Sequence, residues 1–348
     1  MTAAPATAAL TLQQLETVAS SFPVTYHPTW SVVDSTKLNL YAECPRKYFY
    51  EFVLGWRRPS HDLVFGRLFH EAMEQLYLNG LTADSAISAA EHFNKLWEEE
   101  YANLDMELFE RFRPKTPDNV LRALLAYVKR YSSVWHKPRE LELGGKVHIS
   151  LEPERLMVFK MDWFGEHEHY GLCVLEHKTT KMALSDWWAR QFFLRLQLGT
   201  YNHAGKVFCG QKFFGVVVNG ISICNSPRLK RDGEPYANSR DIELRQVPVN
   251  RSNATMGSWL FTVNALWDEL EADFNKLLTC NAAQPTLECF RMNTNSCTNY
   301  GGCQFWDLCC ARQNPLQSVA SPPDGFHTAY WDPLNEIKHY KGVVSNAS

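Results

Sequence analysis

The sequence predicts an α/β fold in which helices flank a mixed central sheet, with a helical region ahead of the sheet. Apolar residues recur at helical spacing from Ser35 to about residue 136, and the period changes to strand-like alternation after Gly144 and Gly145. A further helical run and a buried apolar strand follow, an order typical of a βαβ unit. With 348 residues, of which 45% are hydrophobic, the chain can bury a sizeable core.

The elements can be assigned in chain order. Residues 1–30 are rich in alanine and threonine with little periodicity, which predicts a peripheral lead-in. Residues 31–312 are expected to form one domain with a helical insertion at about residues 80–140, and residues 313–348 a C-terminal tail. Early in the domain, two helices bracket a basic turn that contains Arg57 and Arg58.

Alternating apolar residues predict three consecutive strands in the middle of the chain: KVHISLE, RLMVFKMDWF and YGLCVLEHKTT. A polar turn at residues 165–169 is expected to join the last two. A helix ending at Gly205 and the buried strand KFFGVVVNGIS come next, followed by an exposed excursion or irregular hairpin over residues 225–257. The amphipathic run WLFTVNALWDELEADFNKLL then predicts a long helix.

Charge and hydropathy exclude two classes of protein. A formal net charge of -3 argues against binding nucleic acid by bulk positive charge, so any such contact must be local. The N-terminus lacks the features of a signal peptide, and no run approaches the roughly 18 apolar residues of a membrane span. We therefore expect a protein of the cytoplasm, or of the host cytoplasm if a phage encodes it, without a membrane partner.

Two acids and an amine are placed for metal-assisted chemistry. Strand alternation puts Glu176 and Lys178 on one face where an apolar strand ends, and a hairpin would return Asp162 to the same end of the sheet. Hydrolysis of a phosphodiester needs these parts: a divalent ion on two carboxylates, with Mg²⁺ or Mn²⁺ preferred by oxygen ligands, and a cation beside the attacking water. The alternative is an ordinary surface salt bridge between Glu176 and Lys178.

Two helical pairs lie on either side of these strands in sequence. His70 follows Gly66 by one helical turn, so the glycine would permit close approach while the imidazole reaches a metal. Gln197 and Tyr201 share one face of a later helix and could contact the lysine or DNA. Taken alone, His70 could equally be a hydrogen-bonded helix residue, and the second pair a polar stripe.

In this order the motifs GRLFH, Asp162, EHK and QLGTY, preceded by CPRKYFY with Leu38 upstream, resemble the nuclease domain of RecB-like members of the PD-(D/E)xK superfamily. The resemblance spans residues 35–310 and implies a restriction-endonuclease-like core. It further implies a metal site formed by the side chains of His70, Asp162 and Glu176 with the backbone carbonyl of His177. By the same resemblance Lys178 would be the catalytic lysine, supported by Gln197 and Tyr201.

Late cysteines suggest a second inorganic site. Cys297, Cys303 and Cys309 follow one another at six-residue intervals around Gly301 and Gly302. The resemblance adds Cys44 and implies a [4Fe-4S] cluster that clasps the first helix to the C-terminal segment. The sequence departs from the commonest family pattern, because five residues separate the first two late cysteines. Zinc in place of the cluster stays open, as does a ligand role for Cys310 instead of Cys309, or for Cys289.

Together these features predict a metal-dependent DNA nuclease, an exonuclease acting on single-stranded DNA or DNA ends in repair, recombination or phage DNA processing. A helicase or recombinase partner is conceivable. The basic residues beside the motifs would contact DNA, together with Trp187 and Trp188: Arg46, Lys47, Arg57, Arg58, Lys181 and Arg190. The alternative is a catalytically silent module on the same fold that binds DNA ends or a protein.

Overall fold

A seven-stranded mixed sheet is the central element of this protein. The computed structural model describes residues 9–102, 106–227, 230–232, 234 and 240–344. Its helices are α1 Ser35–Glu43, α2 Pro45–Tyr48, α3 His61–Asn79, α4 Ala83–Glu100, α5 Met106–Phe112, α6 Pro117–Tyr131, α7 Asp186–Arg190, α8 Leu196–Cys209, α9 Asn253–Leu277 and α10 Trp306–Ala311. Its strands are β1 Val33–Asp34, β2 Trp56–Arg57, β3 His136–Leu151, β4 Glu154–His167, β5 Gly171–Thr180, β6 Phe213–Ser222, β7 Glu243–Val249, β8 His327–Thr328 and β9 His339–Val344.

The strand order confirms the predicted mixed sheet. The strands follow the order β7-β6-β5-β4-β3-β9, and β1 pairs with β4. Strands β5 and β6 are parallel and are joined through α7 and α8, whereas β4 and β5, like β6 and β7, are antiparallel. A parallel pair needs a crossover connection and an antiparallel pair can be a hairpin, so the order of elements in the chain produces the mixture.

The chain divides into two compact units. The first contains Met1–Pro59, Gly145–Phe159 and Asn253–Ile337, and the second contains Ser60–Gly144, Lys160–Ser252 and Lys338–Ser348. Strands β3 and β4 therefore carry residues of both units. None of the helices that the structure describes combines the length and apolar composition that a membrane crossing requires.

In the first unit, α9 packs against residues from the beginning of the chain. The indole of Trp30 stacks on Phe274 with ring centroids 5.3 Å apart. Leu12 and Leu15 are fully buried in the 3-10 helix Leu12–Ser21, and the Asn275 side chain hydrogen-bonds the backbone of Leu10. Part of residues 9–30 therefore packs on α9, because widely spaced apolar side chains dock without the regular periodicity of an amphipathic helix.

In the second unit, the predicted helical insertion packs on the sheet. Helices α3, α4 and α6 share one buried cluster with strand residues, which includes Phe65, Phe93, Tyr127, Trp163 and Leu175. Phe65 and Phe93 meet nearly edge to face at 5.5 Å, an arrangement that aromatic rings favour. These helices therefore cover the part of the sheet that carries Asp162 and Glu176.

Three local predictions differ from the structure. The turn between β4 and β5 lies at residues 168–170 rather than over the whole of 165–169, because Gly165 pairs with Cys173 inside the hairpin. A Cβ at Gly165 would lie 2.3 Å from the Lys137 carbonyl oxygen, so this glycine allows close approach of two strands. The predicted helix before Gly205 is two helices broken at residues 191–195. The irregular hairpin predicted over 225–257 is confirmed in part, because strand β7 pairs antiparallel with β6. The expected basic turn contains strand β2, which pairs with β8.

Helix α8 continues past Gly205, and this glycine is needed for packing rather than for ending the helix. A Cβ at Gly205 would lie 2.3 Å from the buried ring of Phe213. We expect Gly205→Ala to lower the free energy of unfolding by about 1–3 kcal/mol through overpacking. Gly257→Ala in α9, with nothing within 4 Å, is the matched control and should raise it by roughly 0.5–1 kcal/mol. Urea midpoints that shift equally for the two variants would contradict this assignment.

Candidate functional site

The hairpin of β4 and β5 brings Asp162 and Glu176 together in the second unit. Trp163 pairs with Leu175 in the antiparallel register, so the two acids occupy the next opposed positions along the strands. The Asp162 carboxylate accepts a hydrogen bond of 2.8 Å from the His177 backbone N–H. The Asp162 side chain thus satisfies the His177 backbone N–H at the end of the pairing between β4 and β5.

The Glu176 carboxylate is buried and bonded on one oxygen only. Its side chain is 1% exposed, and Oε1 lies 2.6 Å from Lys178 Nζ and 3.0 Å from the Gln197 amide nitrogen. Among the described residues, Oε2 is buried and has no hydrogen-bond partner. The salt bridge between Glu176 and Lys178 that the alternative interpretation expected is therefore present, but its acid is buried and does not lie on the surface. An unsatisfied oxygen of a buried carboxylate could serve as a ligand for a cation.

Helix α8 holds the Glu176 carboxylate through Gln197. The Gln197 amide donates to Glu176 and also to the hydroxyl of Tyr201, the latter at 2.9 Å. Both side chains face the acid because they are one turn apart on the helix, as the sequence predicted. Tyr201 is buried, so the pair is part of the site and not a solvated polar stripe.

Helix α3 supplies His70. Its Nδ1 lies 3.0 Å from Asp162 Oδ1, and its side chain is partly exposed. The companion prediction for Gly66 is wrong, because a Cβ at this position would meet nothing within 4 Å. His70 therefore reaches the acids through the position of its helix, without help from a close approach at Gly66.

Glu142 is a site residue that sequence reasoning missed. Ligand atoms of His70, Glu142 and Asp162 all lie within 4.8 Å of one another, so these residues could hold one metal ion. Strict alternation would turn Glu142 to solvent, since Leu141 and Leu143 are both buried. Instead the backbone of Glu142 has a φ of 51°, a left-handed conformation that interrupts the strand and leaves the carboxylate buried beside Lys160.

Burial and neighbouring charges shift the pKa values of Glu176 and Asp162 in opposite directions. Burial raises the pKa of Glu176 to about 7, and the charge of Asp162 acts in the same direction. Burial would also raise the pKa of Asp162, but the charge and hydrogen bond of His70 hold this pKa below its usual value. The pKa of His70 is in turn raised, because Asp162 outweighs the effect of burial. These shifts favour the ionised form of Asp162 and disfavour a charge on Glu176.

The side chain of His177 is anchored by residues behind the site. Its Nδ1 accepts a hydrogen bond of 2.9 Å from Asn219, which lies opposite it on β6. The Asn219 amide also donates to the hydroxyl of Tyr127, which is 2.7 Å from that of Tyr77. This buried chain of hydrogen bonds fixes the strand between Glu176 and Lys178.

Residues 35–310 match the family model of the PD-(D/E)XK nuclease superfamily. The chain belongs to this superfamily. The match covers the hairpin acids, the lysine and the helices that approach them, so a nuclease fold agrees with the geometry of the site. A comparison with curated proteins finds no match.

The four cysteines expected to bind a cluster all belong to the first unit. Burial raises the pKa of Cys309 to about 11, with the charge of Arg46 acting against this shift and the thiols of Cys303, Cys44 and Cys297 acting with it, so the four thiols are close enough to interact. The backbone N–H of Cys303 donates to the Cys297 carbonyl at 2.8 Å. Cys289 lies elsewhere, with its sulfur 3.8 Å from that of Cys280. Cys289 therefore contacts Cys280 instead of the four predicted ligands.

The predicted DNA-contacting residues have different environments. Arg46 is 2% exposed, and its guanidinium donates to the carbonyls of Phe290, Leu287 and Gln313, so it stabilises the first unit and cannot meet DNA. Trp188 is buried as well.

The remaining predicted DNA contacts are paired or exposed. Arg57 pairs with Glu51, Lys47 pairs with Glu43, and Arg58 stacks over Phe326. On the second unit, Lys181 lies 3.6 Å from Asp62, and Arg190 and Trp187 are exposed.

Glu142 can be tested directly as a metal ligand. Replacing Glu142 with Gln removes one anionic oxygen, and we expect the affinity for Mn²⁺ to fall by about 10–100-fold in isothermal titration calorimetry. Glu140→Gln is the matched control, because this glutamate lies on the same strand and pairs with Lys341 instead. Equal affinities for the wild type and Glu142→Gln would exclude Glu142 from the metal site.

Proposed function

We propose that the protein is a RecB-like, Mg²⁺- or Mn²⁺-dependent deoxyribonuclease that hydrolyses single-stranded DNA from its ends, in DNA repair, recombination or phage DNA processing. The observation that carries the proposal is the buried Glu176 carboxylate, one oxygen of which has no hydrogen-bond partner in the described part of the chain, next to the ion pair of His70 and Asp162. An acid in this state can bind a cation.

The donor set fits a hard divalent ion. Carboxylate oxygens dominate it, and Mg²⁺ and Mn²⁺ prefer oxygen ligands, sometimes with one imidazole. Asp162 and Glu176 would hold the ion, together with His70, the backbone carbonyl of His177 and Glu142. When bound, the ion would polarise a DNA phosphate and lower the pKa of a water molecule.

In this proposal Lys178 acts on the reacting phosphate. Its ammonium is 2.6 Å from Glu176 Oε1, and its side chain is 28% exposed, so a substrate can reach it. In this position the ammonium would hold the attacking water or stabilise the negative charge that develops on the phosphate. Gln197 keeps the Glu176 carboxylate in place for both partners, and Tyr201 orients Gln197. We assign Lys181 and Arg190 as phosphate contacts, because both are exposed on the segment that follows Lys178.

The proposal predicts metal-dependent cleavage that depends on two side chains. Glu176→Gln and Lys178→Met should each lower the rate of cleavage of end-labelled single-stranded DNA with Mn²⁺ by on the order of 10²–10³ or more. Lys129→Met, which alters an exposed lysine in the last turn of α6, is the control and should cleave like the wild type. Circular dichroism spectra should be unchanged in all three variants.

Two further arms of this assay separate the alternatives. Chelation of the metal should stop cleavage, and circular single-stranded DNA should resist an enzyme that needs an end. Wild-type protein that binds DNA with Mn²⁺ but releases no product would instead identify a catalytically silent module. Cleavage of the circle would leave the nuclease assignment intact and replace the exonuclease with an endonuclease.

We also propose a [4Fe-4S] cluster on Cys44, Cys297, Cys303 and Cys309. The support is that the other thiols of the set raise the pKa of Cys303 and of Cys309, and thiols this close together are suited to share a cationic centre. Four thiolates also suit Zn²⁺, so metal analysis has to decide between them. A cluster here would join the residue that ends α1 to the segment around α10 within the first unit.

Metal content tests the cluster separately from cleavage. We expect protein purified without oxygen to be brown and to contain about four iron and four sulfide per chain. Cys303→Ser should lose both, whereas Cys209→Ser, which changes a cysteine of the second unit, should retain them. Colourless protein with one zinc per chain would replace the cluster with a zinc site.

A further inference from the structure

The connection between β5 and α8 exposes apolar side chains to an unusual degree. Within residues 181–195, Met182 is 51% exposed, Trp187 71%, Phe193 45% and Leu194 79%. Isolated apolar residues on a surface are ordinary, but four large ones in one short connection indicate a surface that binds something. We call residues 181–195 the connecting segment.

The exposure of these side chains is fixed by the opposite side of the connecting segment. Trp188 and Phe192 are buried and meet edge to face at 4.7 Å. A Cβ at Gly220 of β6 would lie 2.3 Å from the Trp188 ring, so a glycine makes room for this indole against the sheet. The backbone N–H groups of Phe192, Phe193 and Arg195 bond to carbonyls three residues earlier. With its buried side held in this way, the segment cannot turn Trp187 inward.

Both ends of the connecting segment are tied to the catalytic residues. It begins three residues after Lys178 and ends two residues before Gln197, which donates to Glu176. A DNA strand whose phosphate lies at Lys178 would therefore lie beside this segment.

The charge of the connecting segment favours a polyanion over an apolar partner. Lys181, Arg190 and Arg195 are exposed on it. The one acid, Asp186, is paired with Arg245 at 2.6 Å. Aromatic and aliphatic side chains interleaved with cations are the composition that binds single strands, since bases stack on the rings while phosphates meet the cations. Duplex DNA keeps its base faces covered and would gain little from the apolar residues.

We propose that the connecting segment is a base-stacking surface, on which Trp187, Phe193 and Leu194 engage unpaired bases beside the scissile phosphate. This inference rests on the proposed nuclease function and adds the residues that make the enzyme select unpaired strands. Trp187 provides the main stacking platform, and Arg190 holds the adjoining phosphate.

Binding without cleavage tests the connecting segment. In the full-length Glu176→Gln background, fluorescence anisotropy is measured with labelled oligothymidylate and with a blunt duplex of equal length. Trp187→Ala should weaken binding of oligothymidylate by about tenfold and leave duplex binding unchanged, and Leu194→Ser should act in the same direction. Trp187→Phe, which keeps a ring, should restore most of the affinity. Phe261→Ala in α9, a residue that is 77% exposed, is the matched control and should have no effect.

Each other outcome overturns the inference. Equal weakening for single strand and duplex would mean that Trp187 adds only general contact, and unchanged affinity for both would remove it from the DNA path. If Trp187→Ala instead abolishes self-association in light scattering, the surface is an interface between two copies of the chain. The cleavage assay on the wild-type protein distinguishes failure of this inference from failure of the proposed nuclease function. If the wild type cleaves DNA but the Trp187 variant binds DNA as before, only the stacking surface is rejected. If the wild type does not cleave DNA, the nuclease function is rejected.

Discussion

The buried carboxylate of Glu176 is the constraint on which the rest of the site depends. Removing an ionised carboxylate from water costs several kcal/mol unless partners compensate. The protein supplies Lys178 and Gln197 on one oxygen and leaves the other without a partner among the described residues. Asp162 on the neighbouring strand adds repulsion. The site is therefore incompletely satisfied, in a way that a divalent ion would correct.

The surrounding elements keep this unsatisfied arrangement rigid. His70 fixes the ionised state of Asp162 from α3, and Gln197 holds Glu176 from α8. Behind the strand, the chain of hydrogen bonds from His177 through Asn219 to Tyr127 prevents it from shifting. Sites that bind metal ions need such support, because a donor that moves by a fraction of an ångström changes the coordination.

The two units offer different sets of possible metal ligands. In the second unit, carboxylates and an imidazole form a hard, oxygen-rich site suited to phosphate chemistry. In the first unit, the thiols of Cys44, Cys297 and Cys303 lie close enough to Cys309 to raise its pKa, and four thiols offer soft ligands that are far better suited to iron or zinc than to magnesium. The chemistry of the donor atoms would therefore select a different metal in each unit.

The sequence alone determined the residues whose position follows from local periodicity. Alternation placed Glu176 and Lys178 on one face, helical spacing joined Gln197 to Tyr201, and the hairpin returned Asp162 to the same end of the sheet. Only the tertiary structure decided the positions of residues that break this periodicity or that are held by contacts with distant parts of the chain. Glu142 is buried because one left-handed residue interrupts its strand, and Arg46 is buried because carbonyls more than two hundred residues away accept its hydrogen bonds. Local pattern specifies which face a side chain takes, whereas bulges and long-range contacts depend on the packed backbone.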